Sequence, residues 1–354
     1  MRITAKRLLE PLKLVAQQRS NRLSALPILI VYLNDICNSR CLTCAIWQNN
    51  ERLRIPDERQ MSDRLLAELY GEIERWRPSQ VLLSGGEPAM HPRLPDVVRR
   101  LEALGSRIAL ITNGLLLTSF SHKDLRPISE VYISFDAPDR ESYKTIRGVD
   151  GFARMADSVE FLKSMAVPPR IVARSTLQRD NVAHIPELVG TARRLGFDAI
   201  SFLGVDVSTS AFARGFPDHA VDPKRIQPQI ADLEAMARGI EELELAKTSV
   251  SLIEGGVPRL RRILQYFNAL LGRADFPPMR CNAPWFSAVI ETTGRMRGCF
   301  FHRVIGDLKT INGPEAVAFR RALRVESNPT CQRCVCNKLF GRWMCGVSDC
   351  NREK

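Results

Sequence analysis

The sequence has no cysteine between Cys44 and Cys281, although the chain contains ten cysteines in 354 residues. Three of the ten lie within residues 37–44, and the other seven lie between Cys281 and Cys350. Cysteines in a chain without an export signal indicate metal binding or redox chemistry rather than a disulfide framework. The distribution therefore predicts two cysteine-rich metal regions that flank a thiol-free body.

Long apolar runs are also missing. No segment approaches the roughly 18 apolar residues of a membrane span. The first 22 residues contain six basic side chains but lack the apolar block and the cleavage site of a signal peptide. We therefore expect a basic N-terminal helix over residues 1–24, packed on the main body, in a cytoplasmic protein. A helix lying on a membrane surface is the alternative.

The formal net charge is +12, yet the sequence contains no aromatic-interleaved basic stripe and no RNA-binding signature. Such a charge suits a phosphorylated or nucleotide-bearing substrate. It also suits an ordinary solvated surface, because several arginine pairs fall where helices face water. The sequence predicts no stable nucleic-acid partner.

Strand-length apolar segments alternate with amphipathic helical segments over the first two thirds of the chain. Ile28–Leu33 is a continuous apolar run, which is typical of a parallel strand buried on both faces. Further strands are predicted at 80–84, 107–112, 130–135, 170–176 and 198–203. Six strand–helix units imply parallel pairing with right-handed crossovers, but they are too few to close an eight-stranded barrel. We therefore expect an α/β fold, a partial (β/α)6 TIM-like barrel over residues 25–225.

The pattern changes after this barrel. Residues 226–279 contain amphipathic helical segments and are predicted to form a helical linker. Residues 280–354 form the cysteine-rich end of the chain, in which 285–297 is predicted to be a hairpin with Gly294 at its turn. The sequence thus predicts a small C-terminal cysteine-rich domain after the linker.

Cys37, Cys41 and Cys44 form a C-x3-C-x2-C run directly after the first predicted strand. Three thiolates at this spacing can hold three irons of a 4Fe–4S cluster, which leaves one iron open for a ligand that is not protein. A zinc site or three buried structural thiols are the alternatives.

This run resembles the cluster motif of the radical S-adenosylmethionine (SAM) superfamily, and motifs at later strand ends extend the resemblance. The resemblance implies that Gly85, Gly86 and Glu87 bind the amino group of SAM. It also implies a place near the cofactor for Thr112 and a ribose contact for the Ser-x-Asp element. The residues implied to bind the cofactor are Gly85, Gly86, Glu87, Thr112, Ser134, Asp136 and Arg174, of which Arg174 would meet the carboxylate or the ribose.

One position departs from the superfamily pattern. The residue before the third cysteine is usually aromatic and packs near the adenine, but here it is Thr43. Trp47 is the candidate that takes over this packing, and burial of Trp47 in the core is the alternative.

The C-terminal cysteines resemble the auxiliary-cluster domains called SPASM and twitch. The spacing from Cys281 through Gly294 to Cys299 matches the opening of these domains. The resemblance implies that four thiolates would saturate one 4Fe–4S cluster and complete the twitch form, namely Cys281, Cys299, Cys331 and Cys334. Three further cysteines bring the number to the seven of a full SPASM domain, namely Cys336, Cys345 and Cys350. Their spacing differs from the SPASM pattern, so one or two auxiliary 4Fe–4S clusters are both possible.

The resemblance implies an enzyme, a radical SAM oxidoreductase or epimerase. A flavodoxin- or ferredoxin-type electron donor would reduce the first cluster, SAM would be cleaved to a 5′-deoxyadenosyl radical, and the radical would take a hydrogen atom from the substrate. The C-x17-C spacing of Cys281 and Cys299 resembles that of the aminocyclitol dehydrogenase group. We therefore expect dehydrogenation or epimerisation of a small sugar- or cyclitol-like substrate. Maturation of a ribosomally made peptide is one alternative, and a non-catalytic metal-binding protein is another.

Overall fold

A single nine-stranded sheet organises the protein. The computed structural model describes residues 15–212, 221–246, 250–336 and 338–339. Within these residues the strand order is β6-β5-β4-β3-β2-β1-β7-β8-β9. The strands are β1 (Ile28–Asn34), β2 (Gln80–Gly85), β3 (Arg107–Thr112), β4 (Ile128–Ser134), β5 (Arg170–Leu177), β6 (Ala199–Gly204), β7 (Ser287–Ile290), β8 (Arg295–Arg297) and β9 (Val304–Asp307).

Helices connect and cover these strands. The longer ones are α1 (Asp63–Trp76), α2 (Leu94–Ala103), α3 (Arg140–Arg147), α4 (Phe152–Lys163), α5 (Ile185–Leu195), α6 (Ile230–Ala246), α7 (Gly256–Leu270) and α8 (Pro314–Ala322). Short α-helices span Asn49–Arg52, Pro56–Arg59, His122–Leu125, Pro223–Ile226 and Pro329–Gln332. Single 3-10 turns span Ile46–Gln48, Pro88–Met90, Leu117–Ser119, Val182–His184, Val250–Leu252 and Ala283–Trp285. Residues 15–20 are also helical.

The predicted partial barrel is confirmed. Strands β1 to β6 pair in parallel and in chain order. Their outward side chains, such as Val31 and Leu83, pack with helix residues such as Leu69 in one large core. Their inward side chains, such as Ile30 and Tyr132, form a smaller second cluster. Strands buried on both faces are the reason that their sequences are almost continuously apolar.

The C-terminal region extends this sheet. Strand β7 pairs in parallel with β1 on the side opposite β2, and β7, β8 and β9 then pair antiparallel. The hairpin expected around Gly294 is therefore confirmed, with Gly294 at φ +81° in the turn. Because β7 pairs with β1, the cysteine-rich segment begins directly beside the strand that precedes the first cysteine motif.

The lumen of the barrel is closed by charges at the amino ends of the strands. Arg170, the first residue of β5, donates to Glu130 of β4 at 2.7 Å and to Glu254 at 2.9 Å. Both carboxylates are largely buried. Because these ion pairs fill the amino-terminal mouth, the carboxyl ends of the strands remain for ligands.

Some elements lie outside the sequence prediction. Helix α3 was not among the predicted elements, and Asp139 caps its first turn by accepting from the backbone N–H groups of Glu141 and Ser142. Residues 48–60 contain two short helices. Within residues 226–279, α6 and α7 pack on each other and on the last barrel unit.

Parts of three expectations lie outside the described residues. These are residues 1–14 of the N-terminal helix, residues 213–220 of the loop after β6, and the two cysteines Cys345 and Cys350. Among the described helices, none combines the length and the apolar composition that crossing a bilayer requires.

Candidate active site

The first cysteine motif lies on a loop that leaves the carboxyl end of β1, and neighbouring elements hold this loop in place. The backbone N–H of Cys37 donates to Oδ1 of Asn50 at 3.0 Å, and Nδ2 of Asn50 donates to the Cys37 carbonyl at 2.8 Å. The N–H of Arg40 donates to the carbonyl of Arg147 at 2.9 Å. These contacts position the loop from both sides. We call residues 35–47 the cluster loop.

The three thiols of the cluster loop form no disulfide and are half-buried, and Cys41 and Cys44 are near enough to Cys37 to act on its charge. Burial is the largest cause that raises the pKa of Cys37 to about 12. Glu87, Cys41 and Cys44 contribute to this increase, and the N–H of Ser39 opposes it. Burial also raises the pKa of Cys41. Soft thiolate donors of this kind are the ligands of iron–sulfur clusters, and bound metal keeps such thiols deprotonated. The donor set therefore fits a 4Fe–4S cluster.

For a single metal ion, the described residues offer no site comparable to this set of cluster ligands. Within the described residues, no group of three or more His, Cys, Asp or Glu side chains is gathered tightly enough to hold one ion. A 4Fe–4S cluster distributes its protein ligands over separate irons, one thiolate to each.

The glycines after β2 allow two loops to touch. A Cβ atom on Gly85 would overlap the carbonyl oxygen of Asn34, and one on Gly86 would overlap that of Ile36. The N–H of Gly86 donates to the Asn34 carbonyl at 2.8 Å, and the N–H of Glu87 donates to the Ile36 carbonyl at 2.8 Å. Both glycines are thus required by the contact between the loop after β2 and the cluster loop.

The carboxylate of Glu87 is buried and accepts hydrogen bonds from the neighbouring strand end. The Thr112 hydroxyl donates to Oε1 at 2.7 Å, the Ala89 N–H donates to the same oxygen at 3.0 Å, and the Asn113 N–H donates to Oε2 at 2.7 Å. Burial raises the pKa of Glu87, and these donors lower it in part. Glu87 therefore binds the end of β3 through both oxygens.

Asn113 continues this network to the cysteines. Its Nδ2 donates to Oδ1 of Asn38 at 2.7 Å and to Oγ of Ser39 at 3.0 Å, and it lies 3.8 Å from Sγ of Cys37. The sequence singled out the segment around Thr112 only as a common strand-end feature. The link from Glu87 through Asn113 to Cys37 joins residues that are far apart in sequence, so no local pattern indicates it.

Asp136, expected near the ribose, forms a buried ion pair. Its Oδ2 accepts from Nη1 of Arg147 at 2.9 Å, and its Oδ1 accepts from the backbone N–H of Thr176 at 2.7 Å. Burial opposes the charge of Arg147, but Cys41 and Asp136 raise its pKa well above the usual value. Arg147, to which the sequence assigned no role, thus lies beside Cys41 and also holds the cluster loop through its carbonyl.

Ser134 and Arg174 lie at one level of the barrel, because they are paired in the register of β4 and β5. Both are half-buried. Nη1 of Arg174 donates to Oγ of Ser201 at 2.9 Å, and the guanidinium lies 5.9 Å from the ring centroid of Tyr132. Since Tyr132 belongs to the inward cluster, Arg174 faces the lumen at the carboxyl ends of the strands.

Trp47 follows the cysteines on a 3-10 turn and is half-buried. It lines a cavity of about 340 Å³ together with Arg40 and Asn50. Its buried indole N–H has no hydrogen-bond partner in the described part of the chain. Trp47 therefore lines a cavity beside the cluster loop, and its packing near the adenine stays a prediction.

A second cavity, of about 500 Å³, separates the two cysteine regions. Tyr32, Phe212 and Phe300 form its aromatic wall, with ring centroids 6.1 Å apart for Tyr32 and Phe300 and 6.2 Å apart for Phe212 and Phe300. The Phe212 carbonyl accepts from the N–H of Ala45 at 3.1 Å, so this wall adjoins the cluster loop. Phe300 follows Cys299 directly in the chain. No local sequence pattern indicates this cavity.

Five of the seven C-terminal cysteines lie in the described residues, and they approach one another from separate segments. Burial, as the largest cause, and the nearby thiols of Cys281 and Cys331 together raise the pKa of Cys299 to about 12. The N–H of Cys336 donates to Sγ of Cys334 at 3.3 Å. A ring nitrogen of His302 lies 3.3 Å from Sγ of Cys331. This donor set, too, fits an iron–sulfur cluster.

A partial parallel barrel that presents three cysteines beyond its first strand defines the class of radical SAM proteins. In agreement, residues 31–192 match the family model described as the Radical SAM superfamily. This match covers a little under half of the chain, and the proteins of the matched family use SAM and a catalytic 4Fe–4S cluster.

Among curated proteins, the chain is 27% identical over 175 residues to a "Probable GTP 3′,8-cyclase" of Saccharolobus islandicus, a match that covers 49% of this chain and 55% of the relative. A protein of the same name from Metallosphaera sedula is 27% identical over 199 residues, covering 53% of this chain and 60% of the relative. The chain thus spans little more than half the length of the curated relatives it matches.

Solved structures share the fold. Streptococcus suis SuiB bound to S-adenosylmethionine superposes with a TM-score of 0.61 at 16% identity, covering 91% of this chain and 75% of SuiB. The protein anSMEcpe with bound AdoMet superposes with a TM-score of 0.56 at 18% identity, covering 82% of this chain and 80% of anSMEcpe. At these identities the likeness concerns the fold alone.

Proposed function

We propose that this protein is a radical SAM enzyme whose catalytic 4Fe–4S cluster is held by Cys37, Cys41 and Cys44. The observation that carries the proposal is the gathering of the thiols of Cys37, Cys41 and Cys44 at the carboxyl end of β1, on a loop bound by the neighbouring strand ends. Three ligands leave one iron open, which is where SAM would bind. When bound, the cluster and SAM would together supply a 5′-deoxyadenosyl radical, which abstracts a hydrogen atom from the substrate.

The chain's own residues prepare this site. The buried network of Glu87, Thr112 and Asn113 fixes the cluster loop against the end of β3. The buried pair of Asp136 and Arg147 fixes it from the opposite side. We propose that Ser134 and Arg174 contact SAM from the lumen, and that Trp47 packs near its adenine.

We propose a second, auxiliary 4Fe–4S cluster on Cys281, Cys299, Cys331 and Cys334, in a twitch-like region that follows the barrel. Support comes from the mutual approach of these thiols. Cys336 lies next to them, and Cys345 and Cys350 lie beyond the described residues. A second auxiliary cluster would use these three remaining cysteines. In this proposal the auxiliary cluster accepts an electron during oxidation, and a flavodoxin- or ferredoxin-type protein reduces the first cluster.

We propose a small sugar- or cyclitol-like molecule as the substrate, which the enzyme dehydrogenates or epimerises. The cavity of about 500 Å³ between the two cysteine regions has the size of small-molecule sites. Aromatic rings line one side of it, and Asp35, Glu291 and Arg297 contribute polar groups. An aromatic face combined with hydrogen-bonding groups suits a polyhydroxylated ring.

A peptide is the second candidate substrate. The fold of SuiB, which covers 91% of this chain, has also been solved bound to its precursor peptide SuiA. An open cavity beside the cluster loop could accept an extended peptide segment as well as a ring.

The test of the core proposal is SAM cleavage. We expect anaerobically reconstituted protein to form 5′-deoxyadenosine from SAM with dithionite as reductant. Replacement of Cys37, Cys41 and Cys44 by Ala should abolish this product while auxiliary iron remains. Iron-containing protein that forms no 5′-deoxyadenosine would instead be a metal-binding protein without this chemistry, and cleavage by the triple variant would contradict the assignment. Product analysis with a cyclitol, a peptide and GTP then separates the substrate classes.

A further inference from the structure

The side chain of His302 reaches a cysteine that is distant in sequence. Nε2 of its ring lies 3.3 Å from Sγ of Cys331, which comes 29 residues later in the chain. His302 also follows Cys299 closely in the sequence, and the backbone N–H groups of Phe301 and His302 hydrogen-bond to the Cys299 thiol. One residue thus contacts two of the four thiols assigned to the auxiliary cluster.

Neighbouring residues hold His302 in this orientation. Nη1 of Arg297 donates to the His302 carbonyl at 2.7 Å, and Nε of Arg297 donates to Glu291 at 2.5 Å. The imidazole packs edge-on against Phe319 of α8, with ring centroids 5.1 Å apart and an interplanar angle of 67°. Because both the backbone and the ring are held, the fold itself directs Nε2 toward Cys331.

A ring nitrogen at this place could donate a hydrogen bond to the sulfur or bind metal itself. The described contact is the first of these, because 3.3 Å is a hydrogen-bond distance to sulfur. Four thiolates already saturate the irons of one 4Fe–4S cluster, which leaves no iron for the imidazole. The chemistry of the site therefore favours an Nε2–H donor facing a metal-bound thiolate.

The surroundings of Cys331 strengthen such a bond. Cys331 is buried and packs with Met279, Leu323 and Val325 in a small apolar cluster. A hydrogen bond in apolar surroundings is stronger than the same bond in water. Hydrogen bonds to the sulfurs of an iron–sulfur cluster stabilise its more negative, reduced form and so raise its reduction potential.

We infer that His302 donates Nε2–H to the Cys331 thiolate and thereby raises the reduction potential of the auxiliary cluster. This inference deepens the proposed function and rests on it, because it requires that cluster. A higher potential favours the electron acceptance assigned to the cluster above. His302 acts through Cys331, so it is a positioning residue and not a catalytic one.

An EPR-monitored redox titration of the reconstituted holoenzyme tests the inference, and the triple Ala variant of the cluster loop identifies the auxiliary signal. His302→Leu removes the donor but keeps an apolar side chain against Phe319. We expect it to shift the reduction equilibrium of the auxiliary cluster about tenfold toward the oxidised form, about 59 mV for a one-electron couple. His302→Gln, whose side-chain amide also donates, should restore most of the potential.

Gln332→Leu is the matched control. Gln332 follows Cys331 directly, is exposed and donates to the carbonyl of Glu326 at 3.0 Å. The variant therefore removes a neutral donor beside the same cysteine without removing a bond to sulfur, and the auxiliary potential should equal that of the wild type. An unchanged potential in His302→Leu would overturn the inference, and so would equal shifts in His302→Leu and Gln332→Leu.

Pulsed EPR of the wild type grown with 15N-histidine gives a test that does not depend on how well a variant folds. We expect a weak nitrogen coupling to the auxiliary cluster, which His302→Gln removes. A strong coupling would make His302 a metal ligand and contradict the inference, and the absence of any histidine coupling would contradict it as well.

Iron content separates this inference from the proposed function. Protein that binds no auxiliary iron would contradict the auxiliary cluster of the proposed function. Protein that binds auxiliary iron with the same potential in His302→Leu and the wild type would retain the proposed function and contradict the inference alone.

Discussion

The cluster loop takes its three cysteines from residues 37–44, whereas the C-terminal region collects its thiols from segments between Cys281 and Cys336. Buried polar bonds from two strand ends and helix α3 support the first group. The second group lies around a short hairpin at the sheet edge and a few short helical turns. The first site is therefore organised by the barrel, and the second depends on closing long loops, which bound metal would do.

The largest effect that separates the two regions should come from removing auxiliary ligands. We expect the double variant Cys299→Ala/Cys331→Ala to lose auxiliary iron and the hydrogen-exchange protection of the hairpin, because the metal holds separate segments together. It should still form 5′-deoxyadenosine from SAM, since the barrel positions the other cluster. Iron analysis and the cleavage assay check this. If SAM cleavage disappeared with the auxiliary iron, the two sites would not be independent.

The variant Asp136→Asn tests how much the buried ion pair with Arg147 stabilises the barrel around the cluster loop. Removing one partner of a buried ion pair leaves Arg147 uncompensated, and we expect a loss of about 3–5 kcal/mol in the free energy of unfolding. Urea denaturation of the iron-free protein measures this loss. Asp150→Asn, which breaks the exposed pair with Arg140, is the control and should cause no measurable change. Equal effects of the two variants would show that the buried pair does not support the cluster loop.

In the C-terminal region, the buried side chain of Arg320 stabilises the fold, as the buried Asp136–Arg147 ion pair does in the barrel. It is fully buried on α8, and it donates to the carbonyls of Pro284 at 2.9 Å and Ile311 at 3.0 Å. Arg320→Ala leaves both carbonyls unpaired, so we expect a local loss of about 2–4 kcal/mol. Hydrogen exchange over β7 to β9 measures the loss, and the exposed Arg321→Ala is the control. Unchanged exchange in Arg320→Ala would contradict this role.

The smallest expected effect is a pH dependence of the free energy of unfolding, caused by His91 in the barrel. His91 is buried, a ring nitrogen lies 3.1 Å from the carbonyl of Met61, and the other accepts the N–H of Arg93 at 3.1 Å. Burial lowers its pKa below the ordinary 6.5. The unfolded chain therefore binds the proton more readily, and stability is present above pH 6.5 and is lost as the pH falls below it.

We expect His91→Gln to reduce this loss of stability between pH 7.5 and pH 5, as measured by urea midpoints. His184→Gln, at an exposed position, serves as the control. An unchanged pH profile in His91→Gln would show that His91 does not titrate between the two states.

The elements that the sequence predicted best are those with a strong local signal. The bounds of β3 agree with the prediction because an apolar strand run is a local feature. Helix α3 was missed because its residues are mostly polar, although Asp139 before it and Gly148 after it are ordinary helix boundaries. The pairing of β7 with β1 joins segments too far apart for any local pattern to show.

In the candidate site, too, the sequence indicates the residues with a local pattern and does not indicate the contacts made by folding. The motif of the cluster loop is visible because its three cysteines are close in sequence. The hydrogen-bond partners of Glu87 and Asp136 are not visible in the sequence, since bonds between separate strand ends form only in the folded barrel. The hydrogen bond from Arg174 to Ser201 is likewise a product of the fold, because it joins two neighbouring strands.

The most direct test of the central claim is EPR spectroscopy of the dithionite-reduced holoenzyme with and without SAM. The claim is that the cluster on Cys37, Cys41 and Cys44 has an open iron to which SAM binds. We predict that SAM changes one cluster signal in the wild type and in Cys299→Ala/Cys331→Ala, and changes none in the triple Ala variant of the cluster loop. A SAM-dependent change that persisted in the triple variant, or a wild-type spectrum indifferent to SAM, would contradict the claim.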